Sequence, residues 1–168
     1  AHFALGRLGA GVAAAVLVLG TMIAVVMARV APPEFQLWGL NAKQFMAVPL
    51  VSIWVFAALV LIAIQYRRRP TIHRAMMFTA TLSISAAAIS RIDPISNLYT
   101  GTAWERLFGP FFGAIVLGAA LLGLRCVLTR SFDRWLAGGV AIFMATSALT
   151  MAVARTAAWD WFASMLVP

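Results

Sequence analysis

The stretch Gln65–Asp93, "QYRRRPTIHRAMMFTATLSISAAAISRID", decides the fold. Arg67, Arg68, Arg69 and Pro70 stop one hydrophobic run, and His73 and Arg74 stand at the head of the next. That next run, Ala75–Ser90, carries no charge and closes on Arg91 and Asp93. Charges confined to the ends of apolar runs mark a chain that turns at the surface of a bilayer. Pro70 cannot continue the helix before it, and Thr71 is the expected N-cap of the helix after it. The stretch therefore reads as a tight hairpin pinned by positive charge.

Outward from this hairpin the pattern repeats. Charge-free runs occupy Leu8–Ala28, Gln44–Tyr66, Leu107–Leu124 and Trp135–Ala154. About 20 residues of helix cross a hydrocarbon core of roughly 30 Å. The run after the hairpin is short, but Arg74 and Arg91 can snorkel and extend it. The expectation is an all-α, polytopic transmembrane bundle in one domain, with helices over residues 8–28, 44–66, 73–91, 107–125 and 135–155. Composition agrees, since 63% of the 168 residues are hydrophobic and 11% charged, with a mean hydropathy of +0.94. Soluble domains are about 45–50% apolar.

Basic residues set the expected orientation. With the N-terminus inside, Arg7, Arg67, Arg68, Arg69, Arg74, Arg125, Arg130 and Arg134 fall inside, against Arg29, Lys43, Arg91, Arg106 and Arg155 outside. The bias favours N-terminus in and C-terminus out. The net charge of +8 then reads as topology and attraction to anionic lipid, with no nucleic acid partner. Arg67, Arg68, Arg69, Arg74, Arg130 and Arg134 form the expected lipid-phosphate rim, with Asp133 facing the arginines of the other inner loop. Trp38, Tyr99 and Trp104 sit in the outer loops, as interfacial aromatic residues do, and the tail "WDWFASMLVP" suits a short interfacial helix. The first hydrophobic run is too long for a cleavable signal sequence.

Small residues suggest which helices touch. Gly109, Gly113, Gly118 and Gly123 on the fourth helix, and Gly6, Gly9, Gly11 and Gly20 with Ala13–Ala15 on the first, offer close-approach faces. Thr79, Thr81, Ser83, Ser85 and Ser90 make the third helix the least greasy and place it at the bundle centre. The second and fifth helices read as lipid-facing.

Candidate chemistry is sparse. His73, and His2 on the same expected side, are the only histidines and the candidate axial ligands of a b-type haem. Arg91, Asp93 and Arg155 form a candidate polar cluster, with Asp160 as a further partner, above a polar cavity. A lone Cys126 excludes an intramolecular disulfide, and no HxxxH or ExxH spacing supports a metal site. No Ser-His-Asp set or glycine-rich phosphate loop is visible either. The eight methionines are scattered packing residues.

The segment Arg68-Arg69-Pro70 with His73 and Met77 resembles an R-R-P-x-x-H-x-R-x-M hairpin of small, multi-helix bacterial membrane proteins. Arg74 stands one place earlier than that group's basic residue. "FMAVPLVSIWVFAALV" is similar to the group's second helix, with Ser52 near the position where an Asp commonly follows Pro-Leu. A distant likeness to b561-type cytochromes implies a haem or quinone role for the histidines. The resemblance places the chain in a bacterial inner (cytoplasmic) membrane.

Three functions fit these residues. The first is an accessory or scaffold subunit of a larger membrane complex. The second is a redox protein holding haem b through His73 and His2. The third is a small transporter or lipophilic-ligand binder that uses the third helix and Arg91.

Overall fold

A computed structural model describes residues 2–167, with side chains from residue 6 onward. Among them every extended element is a helix. The long α1 (His2–Val30) is followed by a short α2 (Ala42–Phe45), which leads through Met46 into α3 (Ala47–Gln65). Then come α4 (Pro70–Ile89) and the short α5 (Asp93–Ser96). Next, α6 (Ala103–Phe108) runs through a 3-10 turn (Gly109–Phe111) into α7 (Phe112–Thr129). The chain closes with α8 (Arg134–Val153) and α9 (Ala157–Leu166). Five stretches are long and apolar enough to cross a membrane: Gly6–Val30, Ala42–Gln65, Pro70–Ile89, Ala103–Thr129 and Arg134–Val153. The protein is a multi-pass, all-helical membrane protein.

Local chemistry explains where the helices start. Pro70 occupies the first helical position of α4, with Arg69 extended before it. Proline's fixed φ suits that position, and its missing N–H is one that no helical partner would have taken. Thr71 is consequently inside the helix rather than its N-cap, a correction to the sequence reading. At α8 the Asp133 carboxylate accepts from the Trp135 and Leu136 amides at 3.2 and 3.0 Å. At α2, Asn41 and Gln44 form a reciprocal capping box. The fourth span bends at Gly109, whose φ of +50° is one a side chain would strain. A Cβ there would also stand 2.7 Å from Met151 Sδ.

α4 is the central helix, packed against α3, α7 and α8. Its Thr79 and Ser83 are fully buried (0% exposed), and they donate to the carbonyls of Ala75 and Ala80 at 3.0 and 2.8 Å. A hydroxyl that bonds its own helix leaves no orphan donor in the apolar interior. The expected central position of this helix is borne out.

Two packing expectations are not. α8 is no lipid-facing helix, because Leu136, Gly139, Val140, Phe143, Ser147, Thr150 and Met151 are all buried. Gly139 lets α8 approach α4 so closely that an added Cβ would collide with the Thr79 hydroxyl. Conversely, α1 is the most exposed span, and Gly6, Gly9 and Gly11 face open space. Only Gly20 makes a close approach, to Ile53 of α3. Small residues therefore do not by themselves mark the inner face of α1. On the fourth span, Gly109, Gly113 and Gly118 do meet neighbours, while Gly123 does not.

Candidate functional site

The two ends of the bundle differ in chemistry. At one end, Arg74 of α4, Arg125 of α7 and Asp133 before α8 line a common cavity of about 260 Å³. The turns at Arg67–Arg69 and Arg130 are therefore together at this end, and all four side chains are exposed. Arg69 lies over the Tyr66 ring at 5.8 Å and Arg134 over the Trp135 ring at 5.3 Å. Arg125 Nε donates to Asp133 Oδ2 at 2.7 Å, the single ion pair among the described residues. Asp133 thus pairs within its own hairpin and also faces Arg74 across the cavity.

The opposite end is tied together by backbone acceptors. Arg29 donates from Nε and Nη2 to the Leu166 carbonyl at 2.9 and 2.7 Å, at the C-terminal end of α9. Trp159 Nε1 donates to the Lys43 carbonyl at 2.9 Å. The tail is thus a helix lying across α1 and α2, as its composition suggested. Arg155 Nη1 donates to the Arg106 and Met151 carbonyls at 2.9 and 3.1 Å.

Arg91, Asp93 and Arg155 form no ion pair with one another among the described residues. Arg155 is spent on helix-end carbonyls, where a cation meets the negative end of the helix dipole. Asp93 is exposed in the first turn of α5, where a carboxylate is favourable. Neither it nor Asp160 pairs with Arg91 among the described residues. Tyr99, between α5 and α6, is buried with a hydroxyl that finds no hydrogen-bond partner. Burial, and secondly the charge of Glu105, push its pKa above the ordinary value.

His73 is half-buried, with Nδ1 2.9 Å from the Ala63 carbonyl. A carbonyl can only accept, so Nδ1 carries the proton. The ring closes the hairpin between α3 and α4, among the buried Ile72, Ala75 and Met76. A bound imidazole often orients itself in this way toward a metal, but a porphyrin also needs a slot beside the ring. His73 does not line the cavity at Arg74 and Arg125. The side chain of His2 lies outside the described residues.

A larger cavity has Arg91 in its lining. At about 510 Å³, it runs between α1, the 31–37 loop, the start of α3 and the end of α4. Its wall along α1 extends from Gly20 to Val30, about 15 Å of helix at 1.5 Å per residue and the depth of one hydrocarbon leaflet. Ile23, Met27, Phe35, Ile53 and Phe111 supply its greasy lining, and Ser52 and Arg91 supply side-chain polarity. Ser52 is already engaged with the Val48 carbonyl at 2.8 Å. Arg91, like Arg74, has no carboxylate partner among the described residues. The sequence pointed to Arg91, but to a polar cavity beneath it; the observed one is apolar. It forms because α1 packs mainly on α3 and stands off the end of α4.

Comparison with protein-family models, with curated proteins and with solved structures gives no match.

Proposed function

We propose that this protein binds a lipophilic molecule with an anionic head in the cavity along α1, the head at Arg91 and the apolar body against Ile23, Met27 and Phe35. The observation that carries this reading is the cavity itself. At about 510 Å³ it falls in the size range of small-molecule sites, roughly 300–1,000 Å³, and it pairs a greasy wall with one charged group, as such sites do. Water is a poor occupant for an apolar chamber of this kind. Arg91 is exposed, so its guanidinium is open to an anionic head. The protein is a holder or carrier of that molecule, in a bacterial inner membrane with the arginine-rich end toward the cytoplasm.

The test is mass spectrometry of solvent extracts from the protein purified in mild detergent. Wild type is expected to retain about one more lipid-soluble carboxylate or phosphate compound per chain than Arg91→Ala does. Arg91→Ala is expected to lose it while keeping helicity. Equal retention by both would contradict the proposal.

A second reading, an accessory subunit of a larger membrane complex, is favoured by one observation: α1 exposes most of its surface, including the open Gly6, Gly9 and Gly11 positions. Small residues of this kind suit a neighbouring helix. Size measurement after gentle extraction tests it, and a free monomer contradicts it.

A further inference from the structure

We propose a second, separate site at the arginine-rich end, where Arg74 and Arg125 together hold the phosphodiester of one membrane lipid. The cavity of about 260 Å³ between the first turn of α4, the last turn of α7 and the head of α8 has a polar lip and an apolar floor. Arg74, Arg125 and Asp133 form the lip; Phe78, Leu121 and Leu136 form the floor.

Charge is unbalanced there. Asp133 is nearly buried, with its side chain 13% exposed. One oxygen caps α8 through the Trp135 and Leu136 amides. The other takes Arg125 Nε at 2.7 Å. Arg125 keeps its two terminal nitrogens for another acceptor. Arg74 spends Nε on the Pro70 carbonyl at 3.2 Å and has no carboxylate partner among the described residues. Two guanidinium forks and one committed carboxylate leave a single positive charge, which a singly charged phosphodiester balances. Bidentate forks suit phosphate oxygens better than a point charge does.

The floor and the surroundings identify a lipid as the source. Phe78, Leu121 and Leu136 offer no polar group to a free anion, but they suit the start of an acyl chain. Beside the lip, Val127, Leu128 and Phe132 are each more than 70% exposed, as a surface at the hydrocarbon boundary is. The site is stoichiometric, unlike the diffuse field of Arg67, Arg68, Arg69, Arg130 and Arg134, which are exposed and touch neither cavity.

Native mass spectrometry of the full chain in detergent, titrated separately with phosphatidylglycerol, phosphatidylcholine and inorganic phosphate, tests this. With the cavity along α1 disabled by Arg91→Ala, one tightly held phosphatidylglycerol per chain is expected, with weaker phosphatidylcholine and no retained phosphate. Arg74→Gln should weaken the retained lipid on the order of tenfold. Leu121→Trp, which fills the floor and leaves every charge in place, should weaken it similarly. Replacing Arg67, Arg68 and Arg69 together with Gln should leave it in place. Wild-type retention in both Arg74→Gln and Leu121→Trp overturns the site. Retention of inorganic phosphate as tightly as lipid overturns the lipid assignment. Arg91→Ala is expected to leave this lipid untouched, which separates the site from the cavity along α1.

Discussion

The ring of His73 joins the two helices of the arginine hairpin, its Nδ1 lying 2.9 Å from the carbonyl oxygen of Ala63. That carbonyl is among the last four of α3, which have no helical donor of their own. The nearby amides are otherwise engaged, with Arg67 bonding Ile64 and Tyr66 bonding Ile62. His73 therefore stands in for the missing turn. His73→Ala is expected to lower stability by about 1 kcal/mol, the usual net value of one hydrogen bond. His73→Gln, which restores a donor, should recover part of the loss. Unfolding in mixed micelles measures both, and an unchanged His73→Ala contradicts the assigned role.

Two adjacent glycines on α8 should respond in opposite directions. A Cβ on Gly139 would run into Thr79, which is fully buried and already bonded to Ala75, so the helices must separate. Gly139→Ala is expected to cost roughly 1–3 kcal/mol, as overpacking does. At Gly138 a Cβ would meet nothing within 4 Å. Gly138→Ala should be neutral or stabilise by up to about 1 kcal/mol through helix propensity. The same micelle unfolding experiment compares them, and equal effects would contradict the observed α4–α8 contact.

Tyr99 buries a hydroxyl without a partner. Removing an unsatisfied buried group relieves its desolvation, so Tyr99→Phe is expected to be neutral or stabilising by about 1 kcal/mol. The phenol's pKa is raised from 10.0 by burial first and Glu105 second. Above pH 10 the unfolded chain therefore releases this proton before the folded one, and the wild type loses stability as pH rises. The advantage of Tyr99→Phe should grow over that range; a constant difference would contradict the burial.

Cysteines placed at Arg68 and Arg130, with Cys126 replaced by Ser, are expected to label from one face of sealed vesicles. A cysteine at the well-exposed Leu98 is expected to label from the other. Labelling of Arg68 and Arg130 positions from opposite faces would contradict the shared basic end.

The span count was legible because length against hydrocarbon thickness is a strong constraint. Gln44–Tyr66 was expected and Ala42–Gln65 is observed. The central helix was legible as well, because Thr79, Ser83 and Ser90 are costly against lipid. Helix neighbours were harder. Gly6, Gly9 and Gly11 resemble Gly113 and Gly118 in sequence, yet only the latter pair meets other helices. Glycines on α1 do not tell a packed face from an open one, so the cavity it leaves beside α4 has no local signature. Of that site only Arg91 was visible beforehand, because a charge at a span end stands out. The bend at Gly109 was missed, although Gly109-Pro110 within an apolar run is the signal that marks it.

The most direct test is a density map of the protein in lipid nanodiscs. The expected map shows an elongated, ordered feature along α1 from Gly20 toward Ala31, its head within hydrogen-bonding distance of the Arg91 guanidinium. A map in which α1 has closed onto the end of α4, leaving no chamber, or in which Arg91 reaches only bulk solvent, would contradict the proposed binding function.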